Sequence, residues 1–392
     1  MWQSSQYYKK LRLGDLPLLA VIEIVKSMRL TDQINLALSS KKYEAVCEIA
    51  SVKVGWINFH VQDEYTCLDL GESISLCCGN KAYMDEIDKI SYRKLSKWLA
   101  AGSSATPLQR LVCLFEKINI IFRSGNHYLL IYMNEMKNAS VKDVMDVPIF
   151  KNCENIALVK GEIESDDLRL VLDMAKHLKY FRILGTKVPS DFQHEKAFTI
   201  ERIVYEDANW VRLENLLTMR NSTYVTLGTT SLTYTDFNKF LKFWVNSEVD
   251  MFINMVINVK EGIDPQVLFD GFLRLDSLRF LYSAYFIIAN PDMTNRAHPL
   301  LFVDHQSGKL RFLAYSRTST WLRIRETQNN LLEETKTFQP EFDALRVLEQ
   351  RKELRKKMEK VEGIDEDDTK MMEELNTKLN VLLAEGKFTI GG

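Results

Sequence analysis

A chain of 392 residues with 46% hydrophobic and 27% charged side chains is long enough for two or three domains with substantial cores. Its formal net charge of -2 supplies no general electrostatic drive toward nucleic acid or an anionic membrane, so neither partner is expected. No apolar run of signal type opens the chain and no stretch of about 18 apolar residues follows, so the expected compartment is intracellular, cytoplasmic and/or nuclear.

In chain order, the first elements are three short helices between Leu13 and Ala50. Asp15 is a candidate N-cap for the first, with Pro17 in its first turn, where the missing N–H costs nothing. From Leu18 to Met28 the apolar side chains occupy most of the helix circumference and leave only Glu23, Lys26 and Ser27 polar, so this helix needs cover on two sides. Thr31 or Asp32 can cap the second helix, carrying Ile34 and Leu38, and Ser39 or Ser40 the third, carrying Tyr43, Val46, Cys47 and Ala50. Three helices in about 40 residues seldom bury enough surface to stand alone. The exposed face belongs either against the rest of this chain, as an N-terminal cap, or against another protein.

Short β-prone runs follow, around Val54 to Val61, Thr66 to Leu70 and Ile74 to Cys77. Helical spacing of Ile87, Ile90, Leu95, Trp98 and Leu99 predicts a helix over 85–101, and another begins after Pro107. Tyr128 to Met133 reads as a strand. Strand-like runs at Ile156 to Val159, Tyr180 to Leu184, Ile200 to Tyr205, Tyr224 to Leu227 and Met251 to Val259 then recur at roughly 20 to 27 residues. Helical stretches at Asp166 to Leu178, Trp210 to Leu217 and Thr235 to Val245 lie between them, each with one apolar side. Such alternation predicts parallel strands with right-handed crossovers, arranged as a leucine-rich-repeat-like solenoid or, alternatively, a compact open sheet. Leu300 to Val303 and Leu310 to Tyr315 read as a hairpin. From Gln339 to Gly386 the chain is charge-dense and helical; a break at Gly363 and the acidic run Asp365 to Asp368 predict a helical hairpin folded on the body, or an intermolecular coiled coil. Gly391 and Gly392 read as a flexible end. The six cysteines lack paired spacing and sit among apolar neighbours, as free thiols would.

Two strings carry a resemblance. Leu16-Pro17 entering an apolar helix, the turn Arg29-Leu30-Thr31-Asp32, then Asn35 to Lys42, resembles the F-box of nematode F-box proteins. Asn209-Trp210-Val211-Arg212-Leu213-Glu214-Asn215-Leu216-Leu217, with Leu232-Thr233 and Asp236 to Trp244, resembles their type-2 F-box-associated domain, over roughly Phe150 to Phe272. The first string departs at its end, where many F-boxes of other lineages carry a Trp-containing segment and this chain has Ser-Lys-Lys-Tyr. The resemblance implies an α/β protein: an F-box at 10–52, a strand and helix connector at 53–148, the associated domain at 149–275, closing strands at 276–328 and a charged helical segment at 329–392. It implies binding to a Skp-family adaptor, and through it a cullin, by Leu16, Pro17, Leu18, Leu19, Ile22, Val25, Leu36 and Leu38. An unknown target protein would be held by the α/β domain.

Read without that resemblance, Trp210, Phe240 and Trp244 are core residues. Tyr and Arg make effective anchors on a strand-lined platform, so Tyr180, Arg182, Arg202, Tyr205 and Tyr224 either contact the target or simply solvate one face of the sheet. No phosphate loop, dinucleotide fingerprint, zinc-protease helix or nucleophile elbow occurs, and the histidines are scattered, with only His298, Asp304 and His305 near one another. No cofactor, metal or catalytic residue is expected. Two functions fit: a non-enzymatic ligase adaptor, or an inhibitor or antidote that binds one cognate protein apart from the ligase.

Overall fold

The computed structural model describes residues 12–391 except 72–73, 80–94, 96–97, 100–104, 138, 260–261, 263, 280–281, 293–295, 328–329 and 361–365. The helix expected over 85–101 falls mostly outside those residues, as does the break at Gly363. The chain divides into two compact units, residues 1–162 with 166–178, and residues 163–165 with 179–392.

The first unit opens with α1 (Leu18–Ser27), α2 (Leu30–Ser39) and α3 (Lys41–Ala50). Ser40 caps α3, its Oγ accepting from the Tyr43 amide at 3.3 Å. The caps expected at Asp15 and at Thr31 or Asp32 do not form. Asp15 closes a turn of 3₁₀ helix and Pro17 holds the N-cap position of α1, while α2 starts at Leu30 with Arg29 paired to Asp32 at 2.9 Å. Val25, Ile34 and Cys47 are buried at 2% exposure or less, and the Gln33 amide ties α2 to α1 through the carbonyls of Val25 and Met28 at 2.8 and 2.9 Å.

Next come β1 (Val52–Val54), β2 (Ile57–Val61), β3 (Tyr65–Leu70), β4 (Ile74–Gly79), α4 (Pro107–Ile121), β5 (Phe122–Ser124), β6 (His127–Tyr132), α5 (Val141–Met145), α6 (Pro148–Lys151), β7 (Asn155–Val159) and α7 (Ser165–Met174). Strands β7, β6 and β2 are parallel, and β3 and β4 extend them antiparallel. Helix α4 starts at a capping box made by Thr106 and Gln109, with Pro107 at its first position. It packs on β3, β4 and α3, so the rest of the chain covers one face of the three-helix unit.

The second unit contains β8 (Tyr180–Leu184), β9 (Arg202–Ala208), α8 (Leu213–Leu217), β10 (Ser222–Thr230), α9 (Tyr234–Val245), β11 (Phe252–Asn258), α10 (Pro265–Leu268), β12 (Arg274–Ser277), β13 (Ala284–Ile288), β14 (Leu300–Gln306) and β15 (Lys309–Tyr315). After them come β16 (Thr320–Thr327), β17 (Asn330–Thr337), α11 (Gln339–Lys360), α12 (Glu366–Gly386) and β18 (Phe388–Gly391). Strands β8 to β11 are parallel and adjacent in chain order, as the recurring strand-helix alternation predicts. From there the sheet turns antiparallel in the order β15, β14, β13, β12, β18. The β14–β15 hairpin turns through Ser307 and Gly308, both at positive φ (53° and 73°), the conformation a two-residue hairpin loop demands.

Three expectations are corrected here. Residues 330–337 form β17, paired antiparallel with β16, within the segment expected to be helical. Residues 388–391 are not a loose end: they form β18, which pairs with β12, and Gly391 is buried where a Cβ would strike Asp276 and Arg274. Cys67 and Cys77 are bonded as a disulfide. Their antiparallel register places them directly opposite on one face, with Cα atoms 4.1 Å apart, and a separation of ten residues hides such a pairing from a search for local motifs. Cys47, Cys78, Cys113 and Cys153 remain free.

Candidate target-recognition site

Strand alternation sorts the parallel half of the second sheet into two faces. Inward on one side go Phe181, Ile183, Ile203, Tyr205, Val225, Leu227, Met255 and Ile257, all at 1% exposure or less. Helices α8 and α9 cover them with Leu216, Phe237, Phe240 and Leu241, together with Trp210 from the loop before α8, and Trp244 from the end of α9 is fully buried. Trp210 and Trp244 are therefore core residues, as their spacing suggests.

The opposite face carries Tyr180 and Arg182 from β8, Arg202, Val204 and Glu206 from β9, Tyr224 and Thr226 from β10, and Asn254 and Val256 from β11. In-register pairing aligns Tyr180, Arg202, Tyr224 and Asn254 in one row and Arg182, Val204, Thr226 and Val256 in the next. None of these side chains is fully buried. The Arg182 and Arg202 guanidinium carbons each lie 5.1 Å from the centre of the Tyr180 ring, where the negative face of the aromatic attracts them. Among the described residues neither arginine pairs with a carboxylate. Thr226 Oγ1 and Asn254 Oδ1 are shielded beneath and have no hydrogen-bond partner among the described residues.

Tyr205 does not belong to this platform. It stands three residues from Arg202, an odd spacing that turns it to the helix-covered side. There its ring meets Phe181, Phe198 and Trp210 at centroid separations of 6.2, 5.6 and 5.1 Å, and its hydroxyl donates to the Ala197 carbonyl at 2.5 Å. Complete burial pushes the phenol pKa up.

The platform ends where the sheet turns antiparallel. Leu275, Phe286, Leu300 and Phe302 on β12 to β14 pack against Phe342, Leu345 and Leu348 of α11 and Leu379 of α12, so the hairpin covers that half. At the boundary Asp304, fully buried, takes both Arg311 nitrogens, Nε at 2.6 Å and Nη2 at 2.5 Å. The suggested grouping of His298 with Asp304 and His305 dissolves, because His298 Nδ1 instead faces Asp250 at 3.3 Å. Among the described residues no three His, Cys, Asp or Glu side chains gather to hold a metal ion.

Residues 191–251 match the family described as F-box associated. No curated protein and no solved structure matches the chain. The matched segment runs from ahead of β9 to the residue before β11 and includes the strings Asn209 to Leu217 and Asp236 to Trp244 quoted for the second resemblance. It supplies Arg202 and Tyr224 to the open face, whereas Tyr180 and Arg182 precede it.

The predicted adaptor contacts split in two. Leu18 and Leu19 are 52% and 77% exposed; Pro17 is exposed and Leu16 and Leu36 are half-buried. Ile22, Val25 and Leu38 point into the three-helix core at 8% exposure or less, so they cannot touch a partner directly. Ile24 and Ile49, absent from the predicted set, are exposed at 36% and 57%.

The first unit holds a further polar cluster on its sheet. His60 Nε2 meets Asp69 Oδ2 at 2.6 Å and His60 Nδ1 meets the Tyr132 hydroxyl at 3.1 Å. Burial would raise the Asp69 pKa, but hydrogen bonds from His60 and Ser75 and the charge on His60 hold it below its usual value. Nearby, a cavity of about 770 Å³ is lined by Val61, Pro107, Leu108, Val112, Cys113 and Val147. Its polar edge is already engaged: Asp63 accepts from the Ala139 amide at 2.9 Å, and Asp143 caps α5. Among the described residues no helix is long and apolar enough to cross a membrane.

Proposed function

We propose that this chain is a non-catalytic substrate-recognition adaptor of an SCF-type cullin ubiquitin ligase, working in the cytoplasm or nucleus. In this reading α1 to α3 are an F-box of the nematode kind that docks a Skp-family adaptor. Strands β8 to β11 with their crossovers are a short leucine-rich-repeat-like solenoid whose uncovered face captures the target. The observation that carries the reading is the F-box associated match at 191–251, lying on the part of the sheet that the C-terminal hairpin leaves open. Exposed Leu18 and Leu19 support the docking role, because adjacent exposed leucines make a contiguous apolar patch of the kind that marks protein contacts.

The test is copurification of a Skp-family adaptor with the parent chain and with a Leu18→Glu, Leu19→Glu double variant. Both leucines lie outside the core, so the variant should fold yet lose the adaptor. The inhibitor or antidote reading also has an observation behind it, since Ile22, Val25 and Leu38 are satisfied internally and α3 already rests on α4. A parent chain that retains no adaptor while still capturing a cognate protein would decide for that reading.

A further inference from the structure

We infer that the open face recognises an acidic peptide segment through the cluster of Arg182, Tyr180 and Arg202. The inference rests on the proposal that this face captures the target, and it adds the chemistry of what is captured. Two guanidiniums flank one tyrosine ring, each 5.1 Å from its centre, which puts them within roughly one screening length of each other at moderate salt. Two like charges held that close repel, and three other arginines of this unit are paired with carboxylates: Arg311 with Asp304, Arg279 with Glu341, Arg274 with Asp276. Arg182 and Arg202 have no such carboxylate among the described residues. Glu206, the acidic side chain on this open stretch of the face, stands about 13 Å along β9 from Arg202 and diagonally across from Arg182, and among the described residues it pairs with neither. Their neighbours in the two rows, Tyr224, Val204, Thr226 and Asn254, are uncharged. The protein therefore keeps unneutralised positive charge on an aromatic platform although its net charge is -2, and a carboxylate-bearing ligand is its electrostatic complement. In an extended peptide alternate side chains share one face at roughly 7 Å intervals. Both arginines can reach carboxylates at that spacing.

The probe is a fluorescent decapeptide of alternating Glu and Ser, titrated with the full chain and read by anisotropy, with a Gln-Ser decapeptide and a phosphoserine-Ser decapeptide beside it. The Glu-Ser peptide should bind, weakening steeply as salt rises, and the Gln-Ser peptide should not. Arg182→Glu with Arg202→Glu should weaken binding about tenfold or more, the change expected when close charge pairs are lost. Arg182→Lys with Arg202→Lys should keep part of it, retaining the charge but not the planar stacking. Lys239→Glu with Lys242→Glu makes the same change in net charge on α9, in the opposite layer, and should leave binding intact. Equal binding of the Glu and Gln peptides, or equal loss in the two charge-reversed variants, would overturn the inference. Binding of the phosphoserine peptide alone would replace carboxylate recognition with phosphate recognition. Adaptor copurification is read on the same variants: adaptor retained with no acidic-peptide binding sinks this inference alone, whereas adaptor lost from the parent sinks the proposed function.

Discussion

Trp244 shows what one side chain does in this fold. Its ring is fully buried, the Arg296 guanidinium stacks 4.0 Å from its centre, and Arg296 also donates to the Trp244 carbonyl at 2.6 Å. Trp244→Ala opens a large cavity beneath the sheet and should cost roughly 3 to 5 kcal/mol, visible as a lower melting temperature and soluble yield. An unchanged melting temperature with lost target binding would make Trp244 a contact residue instead. A second residue makes stability depend on pH. Burial raises the Glu349 pKa to about 7 from an ordinary 4.5, against the pull of Arg346 and Lys352 and with the help of Glu353 and Asp292. The folded protein thus holds this proton at pH values where the unfolded chain has released it. Stability falls as pH rises from about 4.5 to about 7 and then levels off. Glu349→Gln should therefore raise the melting temperature by a few degrees near pH 8 and leave it unchanged near pH 4. A matching gain at both values would mean that the glutamine acts through packing.

At the level of elements, what the sequence reveals depends on how locally each element is encoded. Strand β8 runs from Tyr180 to Leu184 as its β-prone run predicts, and α9 begins one residue ahead of the predicted start at Thr235, because apolar periodicity and the Thr233–Asp236 capping box lie within the segment itself. Strand β18 was not legible, since Phe388 to Gly391 is ordered by β12, more than a hundred residues earlier. The side chains of the open face were half legible. Periodicity identifies which side chains share a face, so Tyr180 and Arg182 fall together, but extending the set from Arg202 to Tyr205 crosses an odd spacing and lands in the core. The Cys67–Cys77 bond likewise depends on the register of β3 and β4. Alkylation of the denatured, unreduced protein should label four cysteines, and six after reduction. Six labels without reductant would return this pair to free thiols.

For the whole molecule, the proposed division of labour gives adaptor docking to the first unit and capture to the second. Leu18→Glu with Leu19→Glu should abolish docking alone, and Arg182→Glu with Arg202→Glu capture alone. In that division one side of the sheet supports the fold and the other binds, which has a consequence for tolerated sequence change. In a saturation library scored separately for abundance and for binding, positions 180, 182, 202, 204, 224, 226, 254 and 256 should accept most substitutions in the abundance score and lose binding. Positions 181, 183, 203, 205, 225, 255 and 257 should fail in abundance first. The two scores would then alternate along each strand with a period of two. The rhythm should slip in β10 at Gly228, where a Cβ would stand 1.9 Å from the Glu206 carbonyl oxygen and the pairing register shifts between Leu227 and Thr229. Position 228 lies on the variable side by count and should nevertheless admit glycine alone, so a lineage under pressure to change its target could rewrite this surface around one fixed point.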